Sequence, residues 1–214
     1  EQLKDDFLSL VSHEFRTPLT AIHGGARMLA GQGDQLDEET RRELLADVAI
    51  ESERLERMLG NMLSLAAIQA GRLEAATEPV LVARLARQVA AEVGRAAPRH
   101  RFVVEVPPEV PPAEGDPELL AQVLRNLFEN AVKYAPDGGE IRTVARRNGE
   151  TVEIAVEDEG IGIAPEHVEE VFLRFRRPGA DPTVRGMGLG LYLSRLLVEA
   201  QGGEALANTS WSVV

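Results

Sequence analysis

Leu8, Val11, Phe15, Leu19, Ile22, Ala26 and Leu29 recur every three or four residues, the spacing of one apolar helix face. Gly31-Gln-Gly33-Asp34-Gln35 interrupts the pattern, and Asp37-Glu38-Glu39 supplies a cap and an acidic first turn for a second helix. That helix sets Leu44, Val48, Leu55, Met58, Met62 and Leu65 on heptad spacing, with Glu51 the one charged intruder. Leu45, Leu59, Leu63 and Ile68 broaden its apolar face before Gly71 ends it. A lone hairpin cannot bury two faces this wide. The sustained heptads favour a homodimer closed as a four-helix bundle over packing against the downstream domain.

From Thr77-Glu-Pro79 the pattern changes. Val80 to Ala97 reads as helix, and Arg101-Phe-Val-Val-Glu-Val106 alternates as a strand does. A stiff loop with Pro107, Pro108, Pro111 and Pro112 leads to Asp116-Pro117, which starts a helix running through Tyr134. Strands over 140–147 and 151–157 flank Asn148-Gly149, a hairpin signal. Short helices are expected over 165–175 and 189–200. The expected architecture is thus a helical hairpin over 1–76, followed by an α+β sandwich over 77–214.

Composition narrows the partners. The net charge of −12 argues against nucleic acid, whose backbone is held mainly by Lys and Arg. There is no cysteine, hence no disulfide or thiolate metal site, and no apolar run approaches a bilayer-spanning length. Glu1-Gln-Leu-Lys begins in mid-pattern without Met or a clear cap. It reads as a fragment whose upstream portion enters as a continuous helix and carries any membrane anchor.

Two regions hold candidate chemistry. Helix geometry places His13 about 160° from the centre of the first apolar stripe, so its imidazole faces water. Glu14 can orient that ring or take its proton, Thr17 shares its face one turn on, and Pro18 removes a backbone hydrogen bond. No second His stands at i+4, so zinc is disfavoured. Downstream, Asn126, Asn130 and Lys133 line one helical face with Tyr134 beside them. Amide oxygens suit Mg²⁺ and the lysine can neutralise phosphate oxygens. Gly160 and Gly162 allow a tight turn after the strand ending near Asp158. Gly186-Met-Gly188-Leu189-Gly190 opens a helix whose free amides could hold phosphates. The remaining histidines (His23, His100 and His167) have no catalytic neighbours in sequence, and Met58 and Met62 read as bundle packing.

The run from Ser12 through His-Glu-Phe-Arg-Thr-Pro-Leu to Thr20 resembles the H box of bacterial two-component sensor histidine kinases. The runs 126–134, 158–163, 172–175 and 186–191 resemble that family's N, G1, F and G2 boxes in the family's order. The resemblance implies a dimerisation and histidine-phosphotransfer domain, then an ATP-binding domain of the gyrase–Hsp90–kinase–MutL type. It implies ATP and Mg²⁺ as cofactors and the receiver domain of a response regulator as partner. By it, His13 accepts the phosphoryl group, Glu14 assists proton transfer and Thr17 helps hydrolyse the phosphorylated partner. Asn130 becomes the direct Mg²⁺ ligand with Asn126 nearby, and Asp158 accepts a hydrogen bond from the adenine amino group. Lys133, Tyr134, Gly160, Gly162, Ile163, Gly186, Gly188, Leu189 and Gly190 complete the implied ATP site. Phe172 and Phe175 anchor a lid, and Arg177 falls where a phosphate-contacting arginine is common. The implied location is the cytoplasmic portion of a sensor.

Gln201-Gly202-Gly203 departs from the family's His-Gly-Gly, at a position peripheral to the chemistry, and the tail after it is short for the usual closing hairpin. A related ATP-hydrolysing clamp needs a carboxylate to activate water; here Asn126 holds that place and Glu129 points about 60° away. A clamp also leaves the H box unexplained. A scaffold that only binds nucleotide is the third alternative, against which the full motif set weighs.

Overall fold

The computed structural model describes residues 2–32, 35–176, 187–207 and 211–213. Its internal contacts divide the chain into two units, Glu1–Ala67 and Ile68–Val214.

The first unit is a helical hairpin of α1 (Gln2–Gln32) and α2 (Glu38–Gln69). Asp37 caps α2 as its sequence position predicts: Thr40 N donates to Oδ1 and Thr40 Oγ1 to Oδ2, both at 2.8 Å. These bonds, the backbone one foremost, hold the Asp37 carboxyl below its ordinary range. α1 runs unbroken through Pro18, which is fully buried. Its inward positions are Val11, Phe15, Pro18, Ile22, Gly25 and Leu29. Leu19 and Ala26, on the same stripe, are exposed in the single hairpin. The reason is steric: Gly25 faces α2 so closely that a Cβ there would lie 2.7 Å from Val48 Cγ2. The seam therefore passes through Gly25 rather than its larger neighbour. On α2, Met58 and Leu65 are buried while Leu45, Leu59 and Leu63 are more than half exposed.

The second unit opens with β1 (Glu78–Val80), α3 (Val82–Ala96), β2 (His100–Glu105) and β3 (Ala113–Gly115). Then come α4 (Pro117–Tyr134), β4 (Gly139–Asn148), β5 (Thr151–Asp158), α5 (Gly190–Glu199), β6 (Ala205–Ala207) and β7 (Trp211–Val213). β1 and β3 form a small antiparallel pair, and the main sheet has the order β2-β4-β5-β7-β6. β2 lies parallel to β4, which requires a crossover, and α4 supplies it. The other pairs are antiparallel. α4 packs between α3 and α5, and all three helices touch the sheet. The core contains Val89, Leu124, Phe128 and Leu197 of the helices and Ile141, Ala145, Ile154 and Val156 of the sheet, all buried. Phe102 meets Phe128 edge-on at 5.4 Å, worth about 0.5–1.5 kcal/mol beyond its burial.

The closing hairpin left in doubt by the short tail is present as β6 and β7, paired across Ala205–Val213. The helix expected over 165–175 is two 3₁₀ turns, Pro165–His167 and Glu170–Phe172. Leu173 is already extended, so neither turn reaches the length that offsets helix nucleation. Among the described residues, no helix is long and apolar enough to cross a membrane.

Candidate active site

Asp116 starts α4, the helix that carries Asn126, Asn130, Lys133 and Tyr134. Its Oδ1 accepts from Glu118 N at 2.9 Å and Leu119 N at 3.2 Å, with Pro117 preset for the first turn. Its Oδ2 accepts from Ala76 N at 2.9 Å. Gln201 Oε1 accepts from Asp116 N at 2.7 Å while Gln201 Nε2 donates to Leu197 O at 2.8 Å. Gln201, expected to be peripheral, thus ties the start of α4 to the end of α5. On the other flank Glu92 grips Arg125 through two bonds of 2.8 and 3.0 Å, which raise the guanidinium above its usual range.

With α4 held at both sides, its polar face meets the start of α5. Asn126 is buried, and its Nδ2 donates to Gly190 O at 3.4 Å and Ser194 Oγ at 3.3 Å. A Cβ on Gly190 would sit 3.8 Å from Asn130 Nδ2 and 3.9 Å from Asn126 Oδ1. The two asparagines therefore front the bare backbone at the start of α5. Lys133 Nζ lies 5.0 Å from the centre of the Tyr134 ring.

The end of α4 is fastened to the loop after β5. Tyr134 O accepts from Ile161 N at 3.1 Å, and Asp158 Oδ1 accepts from Gly160 N at 2.8 Å. A Cβ on Gly160 would fall 2.6 Å from Tyr134 O and 2.7 Å from Asp158 Oδ1. Glycine is required there by close approach; at Gly162 it is favoured by φ +68°. Ile163 is half-buried just beyond. The carboxylate, the Tyr134 carbonyl and the amide face of α4 are thereby brought into one region.

Leu189 is buried and Gly188 has φ +64°. Phe175 N donates to Gly188 O at 3.0 Å, and Phe175 itself has φ +63°, rare for a bulky residue. Phe175 and Gly188 are thus fastened together. Phe172 is buried with the Arg195 guanidinium 5.9 Å over its ring. Arg177 and Gly186 lie outside the described residues.

In the helical hairpin His13 is exposed, as its position opposite the apolar stripe predicts, and Thr17 is half-buried one turn on. Glu14 is partly buried with its carboxylate 3.9 Å from Arg54, which also stands 3.6 Å from Glu51. Sequence reasoning passed over Ser194 and Arg54, and noted Gln201 only as a departure peripheral to the chemistry. Only Ser194 carried a local signal, a small hydroxyl one turn after Gly190 on a face otherwise filled by Leu193 and Leu197.

Among the described residues no three His, Asp or Glu gather as a metal cage. A cation on this face would rest on amide oxygens of Asn130 and Asn126 together with phosphate oxygens. Those are hard donors of the kind Mg²⁺ takes, so the residues fit it.

An amide face against a helix start, closed by a carboxylate turn, defines a nucleotide-binding domain of the gyrase–Hsp90–kinase type, joined in one chain to a helical hairpin bearing an exposed histidine. Comparison with known proteins agrees. Residues 115–211 match the family "histidine kinase-, DNA gyrase B-, and HSP90-like ATPase", and residues 3–71 match the "His Kinase A (phospho-acceptor) domain". The sensor protein KdpD of Clostridium acetobutylicum is 31% identical over 206 residues, covering 95% of this chain and 23% of KdpD. The sensor protein SrrB of Staphylococcus aureus is 32% identical over 212 residues, covering 95% of this chain and 35% of SrrB. The crystal structure of full-length ShkA in complex with AMPPNP superposes with a TM-score of 0.65 at 29% identity, covering 97% of this chain and 44% of ShkA. The chain belongs to the two-component sensor histidine kinases. It spans about a quarter to a third of the length of these two curated relatives.

Proposed function

We propose that the chain transfers the γ-phosphoryl group of Mg-ATP to His13 and then to an aspartate on the receiver domain of a response regulator. The observation that carries this is the pairing, in one chain, of an exposed His13 beside Glu14 with the Asn126–Asn130 face against Gly190. Functionally we divide the chain into a phosphoacceptor part over 1–76 and a nucleotide part over 77–214.

Asp158 reads the adenine amino group, Tyr134, Gly160, Gly162 and Ile163 bound the base, and Lys133 neutralises phosphate oxygens. Asn130, with Asn126 beside it, would hold Mg²⁺, which supplies charge neutralisation on the phosphates. Arg177, Gly186, Gly188, Leu189 and Gly190 complete the phosphate side. One ring nitrogen of His13 bonds to the γ-phosphorus as the bond to the bridging oxygen breaks and ADP departs. Glu14 takes the proton from the other ring nitrogen. In the second step an aspartate oxygen takes the phosphoryl group, the N–P bond breaks, and the imidazole recovers its proton. Thr17, one turn from His13, positions water for hydrolysis of that phosphoaspartate.

The exposed Leu19, Leu45, Leu59 and Leu63 on the hairpin support a homodimer, since a four-helix bundle would cover them. Incubation with γ-labelled ATP and Mg²⁺ tests the reading. It predicts a label that acid removes and base preserves, passed on to receiver domains. A base-labile, acid-stable label, or none, contradicts it.

A further inference from the structure

Asn126 can serve a cation site only if its amide oxygen, not its nitrogen, is turned that way. Two contacts bear on that choice. Asn126 Nδ2 faces the carbonyl oxygen of Gly190 at 3.4 Å and the hydroxyl of Ser194 at 3.3 Å. A flipped amide would set Oδ1 against the Gly190 carbonyl, two acceptors with no hydrogen between them. Ser194 is only 1% exposed and Asn126 7%, so water cannot readily replace either partner. Oδ1 is then left on the side of Gly190 that Asn130 shares.

We propose that Ser194 is a positioning residue: its buried hydroxyl accepts from Asn126 and keeps the Asn126 oxygen available to the Mg-nucleotide. The inference rests on the Mg-ATP reading of this face. Ser194 does not touch the nucleotide. It acts from the second turn of α5, coupling the helix that starts at the glycine loop to the amide face of α4. The Gly190 carbonyl, which can only accept, selects the end of the amide that faces it through one long contact; the hydroxyl adds a second point that limits rotation about the side chain.

The test uses the whole chain and reads binding rather than turnover. ADP affinity is titrated calorimetrically with Mg²⁺ and with EDTA, and the ratio of the two is the metal-dependent gain. Losing one hydrogen bond of this kind is expected to cut that gain about three- to tenfold in Ser194→Ala, with the EDTA affinity within about twofold of wild type. Ser194→Cys, which fills the site with a slightly larger group that accepts poorly, should behave alike and controls for the cavity that alanine leaves. In an Asn126→Ala background the Ser194 change should have no further effect on the gain, because the bond is already absent. An unaltered gain in Ser194→Ala and Ser194→Cys overturns the proposal. So does an equal loss of affinity with and without metal, which marks a packing role. Asn130→Ala separates this from the underlying reading: if that variant keeps the full gain, the metal face itself is wrong and the role of Ser194 falls with it. If Asn130→Ala loses the gain and the Ser194 variants do not, only the role of Ser194 is wrong.

Discussion

Gly160→Ala puts a single methyl group into the junction between α4 and the β5 turn. Its Cβ would meet Tyr134 O at 2.6 Å and Asp158 Oδ1 at 2.7 Å, where ordinary contact begins at 3.4 Å. The overlaps are about 0.8 and 0.7 Å, and neither neighbour is the loose end of a long side chain. Tyr134 O is fixed by Ile161 N, and Asp158 Oδ1 by the N–H of residue 160 itself. Relief must therefore shift the carboxylate or part the turn from α4. Overpacking of this size costs about 1–3 kcal/mol. If the strain falls on Asp158, ADP affinity drops roughly 5- to 150-fold. If it falls on the junction, the unit melts roughly 2–12 °C lower. Calorimetric ADP titration and a thermal melt on one preparation read both. Affinity and melting temperature both equal to wild type would refute the placement of Asp158 and the Tyr134 carbonyl around Gly160.

Three further outcomes are expected. Asn130→Ala should cut Mg-dependent ADP affinity at least tenfold while light scattering still reports the wild-type dimer, and Asn130→Asp should also impair Mg-ATP use. Thr17→Ala should retain most autophosphorylation and lose most dephosphorylation of the regulator; a parallel fall in both would assign Thr17 to backbone support around Pro18. Asp37→Ala should lower the melting temperature of the hairpin and flatten its acid limb. The Asp37 carboxyl is held below its usual 3.8, so its contribution is present above that pH and disappears as pH falls through the lower folded-state value. A wild-type acid limb in the variant would count against the cap.

Local signals in the sequence carried most of the fold because the devices that start and stop elements are themselves local. Asp37 and Asp116 cap their helices through neighbours two or three residues away. Asn148-Gly149 turns the β4–β5 hairpin with Asn148 opposite Thr151 and Gly149 at φ +63°. β1 and β3 escaped notice because three residues are too few to show alternation, and they pair across a sequence gap filled by a helix and a strand. The apolar stripe of α1 was legible in the sequence, but not which of its positions meet α2 within one hairpin, since apolarity alone does not reveal the close approach at Gly25.

The site divides along the same line. Asp158, Gly160 and Tyr134 lie in recognisable runs, and structure adds only that the runs converge. Gln201 and Ser194 act through bonds to residues 85 and 68 positions away, a kind of information that no local pattern contains. Gln201 departs from the family's usual residue yet bridges α4 and α5 through its side-chain amide.

The central claim is that His13 accepts the phosphoryl group from ATP bound at the Asn126–Asp158 site. Its most direct test is labelling by γ-labelled Mg-ATP in wild type and His13→Gln, with ADP affinity measured on both. His13→Gln is expected to bind ADP as wild type does and to take up no acid-labile label. Undiminished labelling of the variant, with its nucleotide site intact, would contradict the claim.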